Sequence, residues 1–279
     1  MRFKKGIVLD CFQLPFEESL DKAADLKVDG IQMYVNSEPV FSWIKDIKQQ
    51  QSWKNEISRL GLEVSALCGD LGGHGFERKA EHFTRIAKTK KIIDLAVALE
   101  CKIVTSHIGV ISAETEENLV TAMREIAEYG KERAVYFAIE TGPETSVQLA
   151  RFLEIVGKEY LKVNFDPANL KMVQGEDAVS GVKILGDYIV HTHAKDGKQI
   201  KAGDPVKIYN AFAENDYSNM IMDDFFVELP LGEGDVEFDS YLTALENIGY
   251  RDYLTIEREA GDHRVADISA AVTFLNRFM

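Results

Sequence analysis

The chain has 279 residues, 46% hydrophobic and 28% charged, enough for one large core and close to the ~250 residues of an eight-stranded α/β barrel. Its formal net charge of -14, with no lysine or arginine cluster to interrupt it, repels polyanions and excludes nucleic acid as an expected partner. No apolar run approaches the ~20 residues that cross a bilayer, so no membrane association is expected.

Eight short apolar runs recur, each followed by helix-like amphipathic sequence. In chain order they are GIVLDCF from Gly6, DGIQMYV from Asp29, LEVSALC from Leu62, KIVTSHIG from Lys102, VYFAIETG from Val135, LKVNFD from Leu161, YIVHTHAKD from Tyr188 and YLTIERE from Tyr253. Alternation of this kind predicts parallel strands joined by helical crossovers. Eight units in one domain's length favour a closed (β/α)8 TIM barrel over an open doubly wound sheet, which usually carries fewer parallel strands. The expected fold class is therefore α/β, with residues 1–279 as a single barrel domain.

The intervening segments carry apolar residues at three-to-four spacing. Phe83, Ile86, Ile92, Ile93, Leu95 and Ala96 follow the third run, and Leu119, Ala122, Met123, Ile126 and Ala127 follow the fourth. Both sets predict outer helices packed on the sheet. Turns are marked at Leu60-Gly61, at Gly130 and at Ile248-Gly249. The loop after the seventh run, residues 197–238, is long enough to be a lid or binding loop. Cys11, Cys68 and Cys101 follow no paired spacing, and with no secretory segment at the start they are expected as reduced thiols in a cytoplasmic protein.

Four runs turn polar at their carboxyl ends, at Glu140, Asp166, His193 and Glu257. Barrel enzymes build their sites in that layer. Three carboxylates and one imidazole, with no thiolate, suit a hard divalent cation: Mn2+ foremost, with Mg2+, Co2+ or Zn2+ as alternatives. A carboxylate such as Glu140, ending an apolar strand, must be paired, protonated or coordinated. Asp166 precedes Pro167 and reads also as a cap or turn residue. His191 and His193, two apart, share one face of their strand. Two glutamates beside one cation, Glu140 and Glu257, suit proton removal from a carbon next to a carbonyl and its return, with the cation stabilising the enediolate between those steps.

His107, in VTSHIG, and His74, in GDLGGHG, fall on the same face of the barrel and read either as substrate contacts or as hydrogen-bonded structural residues. Glu144, four residues after Glu140, reads either as a substrate contact or, more readily, as a carboxylate at the positive start of a helix. Gly232 and Gly234 read as turn glycines, and a phosphate site is not inferred from them.

Five segments taken together carry a family resemblance: AIETG at 138–142, NFDPAN at 164–169, HTHAKD at 191–196, PLGEGDV at 230–236 and IGYRDYLTIERE at 248–259. They resemble the sugar-phosphate isomerase/epimerase group of xylose-isomerase-like TIM barrels, which includes D-tagatose 3-epimerase-like, hydroxypyruvate isomerase-like and inosose dehydratase-like enzymes. The resemblance covers most of the chain from the fifth run onward and the first four units more loosely. It implies Glu140, Asp166, His193 and Glu257 as metal ligands, with Glu140 and Glu257 as the catalytic acid/base pair on opposite faces of the substrate. It places His191 behind the ligands or on the substrate. Asn169 stands where epimerases often carry histidine, and Lys195 or a lysine of residues 198–207 stands in for a substrate-binding arginine, with a structural ion pair as the alternative reading of Lys195.

The implied activity is that of a metal-dependent isomerase or epimerase of a small sugar, ketose or related polyhydroxy carbonyl compound, in a cytoplasmic enzyme that pairs as a homodimer or homotetramer. An inosose-type dehydratase with the same metal site, and a non-catalytic sugar-binding barrel, are the alternatives. An endonuclease IV-like phosphodiesterase would need more histidines and a basic groove.

Overall fold

Each of the eight apolar runs forms a strand, and the strands pair in parallel around a closed barrel. The computed structural model describes residues 3–218 and 220–279. The barrel strands are β1 (Lys4–Val8), β2 (Gly30–Tyr34), β3 (Glu63–Cys68), β4 (Ile103–Ser106), β5 (Tyr136–Glu140), β6 (Leu161–Phe165) and β7 (Ile189–Ala194). A two-stranded antiparallel ribbon follows, β8 (Asp196–Gln199) with β9 (Phe226–Leu229), before β10 (Tyr253–Ile256) completes the barrel by pairing with both β7 and β1.

Outer helices separate the strands: α1 (Phe16–Asp25), α2 (Val40–Trp43), α3 (Ile47–Arg59), α4 (His82–Ala98), α5 (Glu116–Arg133), α6 (Ser146–Val156), α7 (Pro167–Asn169) and α8 (Ala178–Leu185). The last three are α9 (Pro205–Glu214), α10 (Phe238–Asn247) and α11 (Arg264–Leu275). Their starts follow local chemistry. Thr145 and Gln148 form a reciprocal capping box on α6, and Asp46 accepts from two amides of α3.

Two helix expectations need correction. Phe83 is 89% exposed, because the stripe of α4 that packs on the barrel runs through His82, Ile86, Thr89, Ile93 and Ala96, and Phe83 falls outside it. Gly130 is no turn: it lies inside α5, where an added Cβ would come within 2.4 Å of the Val135 carbonyl, and the helix ends at Ala134 instead. Gly61 and Gly249 do turn the chain, with φ of 76° and 83°.

The apolar core lies chiefly between strands and helices, where Ile31, Met33, Phe137, Ile139, Val163, Phe165, Leu254 and Ile256 are buried. The lumen is different. Gln32 on β2 bonds His191 on β7, and those strands are not neighbours in the barrel order, so the contact crosses the interior. Thr105, Asn164 and Thr255 join the same polar layer. The upper lumen therefore holds polar groups, although bulky branched side chains usually fill this fold's interior.

Residues 197–238 are not a structureless loop. They carry the rest of β8, then α9 and β9, and α9 is capped by Asp204 with Pro205 at its first position. Asp196 organises the far end of this excursion: its carboxylate accepts from the amides of Gly197, Gly232, Gly234 and Val236. A Cβ on Gly234 would sit 2.0 Å from Asp196 Oδ1. Gly234→Ala is accordingly expected to cost about 2 kcal/mol or more, read as a lower thermal midpoint by calorimetry.

Candidate active site

Strand pairing carries Glu140 to the end of β5, Asp166 to the residue after β6, His193 to the last residue but one of β7 and Glu257 to the residue after β10. Each offers one ligand atom, and all four atoms lie within 4.8 Å of one another. His193 Nδ1 is 3.2 Å from Asp166 Oδ2, 3.3 Å from Glu257 Oε2 and 3.7 Å from Glu140 Oε1. All four side chains are buried. Asp166 serves two ends at once, since its Oδ1 accepts from the Asn169 amide at 2.8 Å as the cap of α7 while Oδ2 faces the imidazole.

The electrostatics are those of buried acids competing for positive charge. Burial pushes Glu140 up to about 7, against the pull of His107 and His193. Burial also works against the charge on Glu257, yet His193 and Lys195 hold its carboxyl well below the usual range. The His193 ring resists charging through burial but is raised well above its ordinary value by Glu257 and Glu140. Oxygen donors from three carboxylates and one imidazole nitrogen fit a divalent ion of the Mn2+ or Mg2+ kind, which would supply positive charge in place of a proton on the cluster.

The family described as xylose isomerase-like TIM barrel matches residues 20–278. The chain belongs to that family.

A xylose isomerase domain protein of Planctomyces limnophilus, known by crystal structure, is 25% identical, with a TM-score of 0.78 over 99% of this chain and 96% of its own. The D-allulose 3-epimerase of Methylomonas sp., solved with D-allulose, shares 16% identity and a TM-score of 0.74 over 100% of this chain and 98% of its own. "Inosose dehydratase 2" of Bacillus cereus is 24% identical over 156 residues, which are 54% of this chain and 49% of the relative. The match thus spans about half the length of the curated relatives.

Within this xylose isomerase-like barrel the other expected site residues divide into those at a cavity and those behind it. The cavity, about 40 Å³, lies beside Glu140 under α9, which contributes Tyr209 and Asn210 to its wall. His107 lines it, with Nδ1 3.1 Å from Asp70 Oδ2 and Nε2 3.9 Å from Glu140 Oε1. Burial opposes charge on that ring, but Glu140 and Asp70 hold it up to about 10. His74 lines the cavity too, with Nδ1 3.4 Å from Glu77 and Nε2 3.3 Å from Glu214 of α9. Asn169 Nδ2 donates to Glu140 Oε1 and to the Thr141 carbonyl, both at 3.3 Å.

His191 and Lys195 stand elsewhere. His191 has no exposed surface; it meets Gln32 and Thr255, and burial pushes it down to about 3, so the ring is neutral. Lys195 is 3% exposed and bridges Glu257 at 2.8 Å to Glu259 and Glu228. Neither borders the cavity. Lys207 is exposed, Lys201 is exposed with Nζ 5.8 Å from the Phe225 ring centre, and Lys198 faces Asp235 at 3.9 Å. Glu144 is likewise no helix cap. Thr145 caps α6, while Glu144 is buried in the cavity wall, with Oε1 unpartnered and its carboxyl pushed up to about 7 by burial.

Several side chains of the site are not singled out by the sequence, among them Gln32, Asn164, Asp70, Glu77 and Tyr209. A lone amide inside an otherwise apolar parallel strand was the available signal for Gln32, because such strands are buried on both faces. Its Oε1 lies 3.0 Å from His191 Nε2 and 3.2 Å from His193 Nε2. As an acceptor it favours a proton on His193 Nε2, the tautomer that leaves Nδ1 to face the carboxylates. Gln32→Leu is expected to weaken Mn2+ binding by about 10–100-fold, and Gln32→Glu, which keeps an acceptor, to retain most of it. Titration calorimetry with Mn2+ reads both.

Proposed function

We propose that this chain is a divalent-metal-dependent enzyme that removes and returns a proton beside the carbonyl of a small polyhydroxy ketone or sugar, as an isomerase or epimerase. The convergence of Glu140 and Glu257 with Asp166 and His193 on one point at the carboxyl end of the barrel supports this reading. Glu140, Asp166, His193 and Glu257 would hold the ion, Mn2+ foremost. When bound, that ion supplies positive charge that polarises a carbonyl and favours ionisation of the neighbouring carbon. Glu257, held ionised by Lys195, is the base that takes the proton. Glu140, steadied by Asn164 and Asn169, delivers a proton of its own on the other face. His107 and Asn169 orient substrate oxygens, and His191 supports Gln32 from behind.

A dehydratase of an inosose-like ketone is the second reading, favoured by the inosose dehydratase among the relatives and by Asn169 in place of histidine. It uses the same first proton transfer and then expels hydroxide. Both are tested by incubating the Mn2+-loaded chain in deuterated water with candidate ketoses and inososes. Deuterium incorporation without mass loss supports isomerisation, and loss of water supports dehydration. Neither, across uncharged and anionic substrates alike, would reject the proton-transfer reading.

A further inference from the structure

Asp70, Glu77, Glu140 and Glu144 line the cavity under α9, and among the described residues no lysine or arginine does. Both imidazoles there are engaged by carboxylates, His107 by Asp70 and His74 by Glu77 and Glu214. The neighbouring cations are engaged as well. Lys195 is held by Glu257 and Glu259, Arg258 by Glu228 and Asp267, and Arg85 by Glu81 and the Gly72 carbonyl. The amides of Gly232 and Gly234, the backbone donors best suited to a phosphate, are taken by Asp196. A divalent ion on Glu140, Asp166, His193 and Glu257 would not reverse this balance, because three carboxylate ligands outweigh its charge.

Two atoms in the same wall lack a hydrogen-bond partner, Glu144 Oε1 and His107 Nε2, and Glu144 is only 5% exposed. A hydroxyl both donates and accepts, so it satisfies either atom in either protonation state. A phosphate or carboxylate oxygen could take the proton of His107 Nε2, but it leaves Glu144 Oε1 without a donor and adds negative charge beside Asp70, Glu77 and Glu140.

We infer that this space is a subsite for the hydroxyls of an uncharged polyhydroxy ketone, read by Glu144 and His107, and that it excludes phosphorylated and carboxylated substrates. The inference rests on the proposed proton-transfer reading and narrows its substrate class. With α9 seated, about 40 Å³ accommodates about three waters, so a sugar displaces α9 as it binds.

The test is titration calorimetry on the full chain loaded with Mn2+ and freed of excess metal. D-fructose and myo-inositol serve as uncharged probes, and D-fructose 6-phosphate and D-gluconate as anionic ones. At least one uncharged probe is expected to saturate the site, and the anions to bind about 100-fold more weakly or less. Glu144→Gln should narrow that gap by about tenfold with Mn2+ affinity unchanged. Amide exchange in residues 205–214 should change on D-fructose binding. Binding of the 6-phosphate as tight as that of D-fructose, or saturation by neither uncharged probe, would overturn the inference, and the wild-type comparison decides it even if the variant fails to fold. Anion preference with deuterium exchange intact defeats this inference alone. Uncharged binding without exchange or water loss defeats the proton-transfer reading and leaves the charge selection standing.

Discussion

Glu257→Gln should lower the rate of deuterium exchange into substrate by about 10²–10⁴-fold, the range set by removal of a positioned general base. Glutamine matches glutamate in shape and keeps one oxygen for an ion, but its amide cannot accept a proton. Calorimetry with Mn2+ run on the same protein separates lost chemistry from lost metal. Exchange at the parent rate with Mn2+ bound would remove Glu257 from the mechanism. Glu140→Gln should lose exchange by a comparable factor and stability as well. Its carboxylate accepts from Asn164 Nδ2 at 3.2 Å on one oxygen and from Asn169 Nδ2 at 3.3 Å on the other. A glutamine amide must turn its NH2 toward one of those donors, leaving a buried mismatch worth about 1–3 kcal/mol. Glu257 meets no such pair of amides, so the two variants differ in unfolding even where they agree in kinetics.

The barrel was legible because its strands are buried on both faces and so read as continuous apolar runs, and eight of them in 279 residues leave little room for another architecture. The strand-end carboxylates and His193 stood out because each breaks such a run at its carboxyl end. What the runs conceal is direction. Gln32 and Asn164 lie within strands, and only barrel closure places both amides in the lumen against His193. Glu144 illustrates the opposite error. Its position just before a helix has a sound local reading as a dipole partner, but the turn of Gly142 and Pro143 directs it into the cavity wall while Thr145 does the capping. For Lys195 the family resemblance offers a substrate contact and the residue type a structural ion pair, and three carboxylates from β9 and the segment after β10 take the second course.

Lys195→Met should be the most destabilising single change in this network. The Nζ group lies 2.8 Å from Glu257 and 3.9 Å from Glu228, also bonds Glu259, and its side chain is only 3% exposed. Removing one partner of a buried ion pair leaves uncompensated charge and costs about 3–5 kcal/mol. At about 2–4 °C per kcal/mol, the thermal midpoint should fall by about 10 °C. The loss should depend on pH with a definite sign. Lys195 pulls Glu259 down, but the negative charge of neighbouring Glu257 works against it, and that half-exposed carboxyl is held above the usual range. Without the lysine its folded-state value rises further, so the folded variant binds more protons than the unfolded chain, and its stability must fall as pH rises through that value. The deficit against the parent should therefore be smaller near about pH 5 than near about pH 8 in urea melts. Mn2+ should restore more stability to the variant than to the parent, since a cluster lacking one cation gains more from another. A variant as stable as the parent at both pH values would show that these carboxylates draw their compensation from water, and would remove Lys195 as the group that keeps Glu257 ionised.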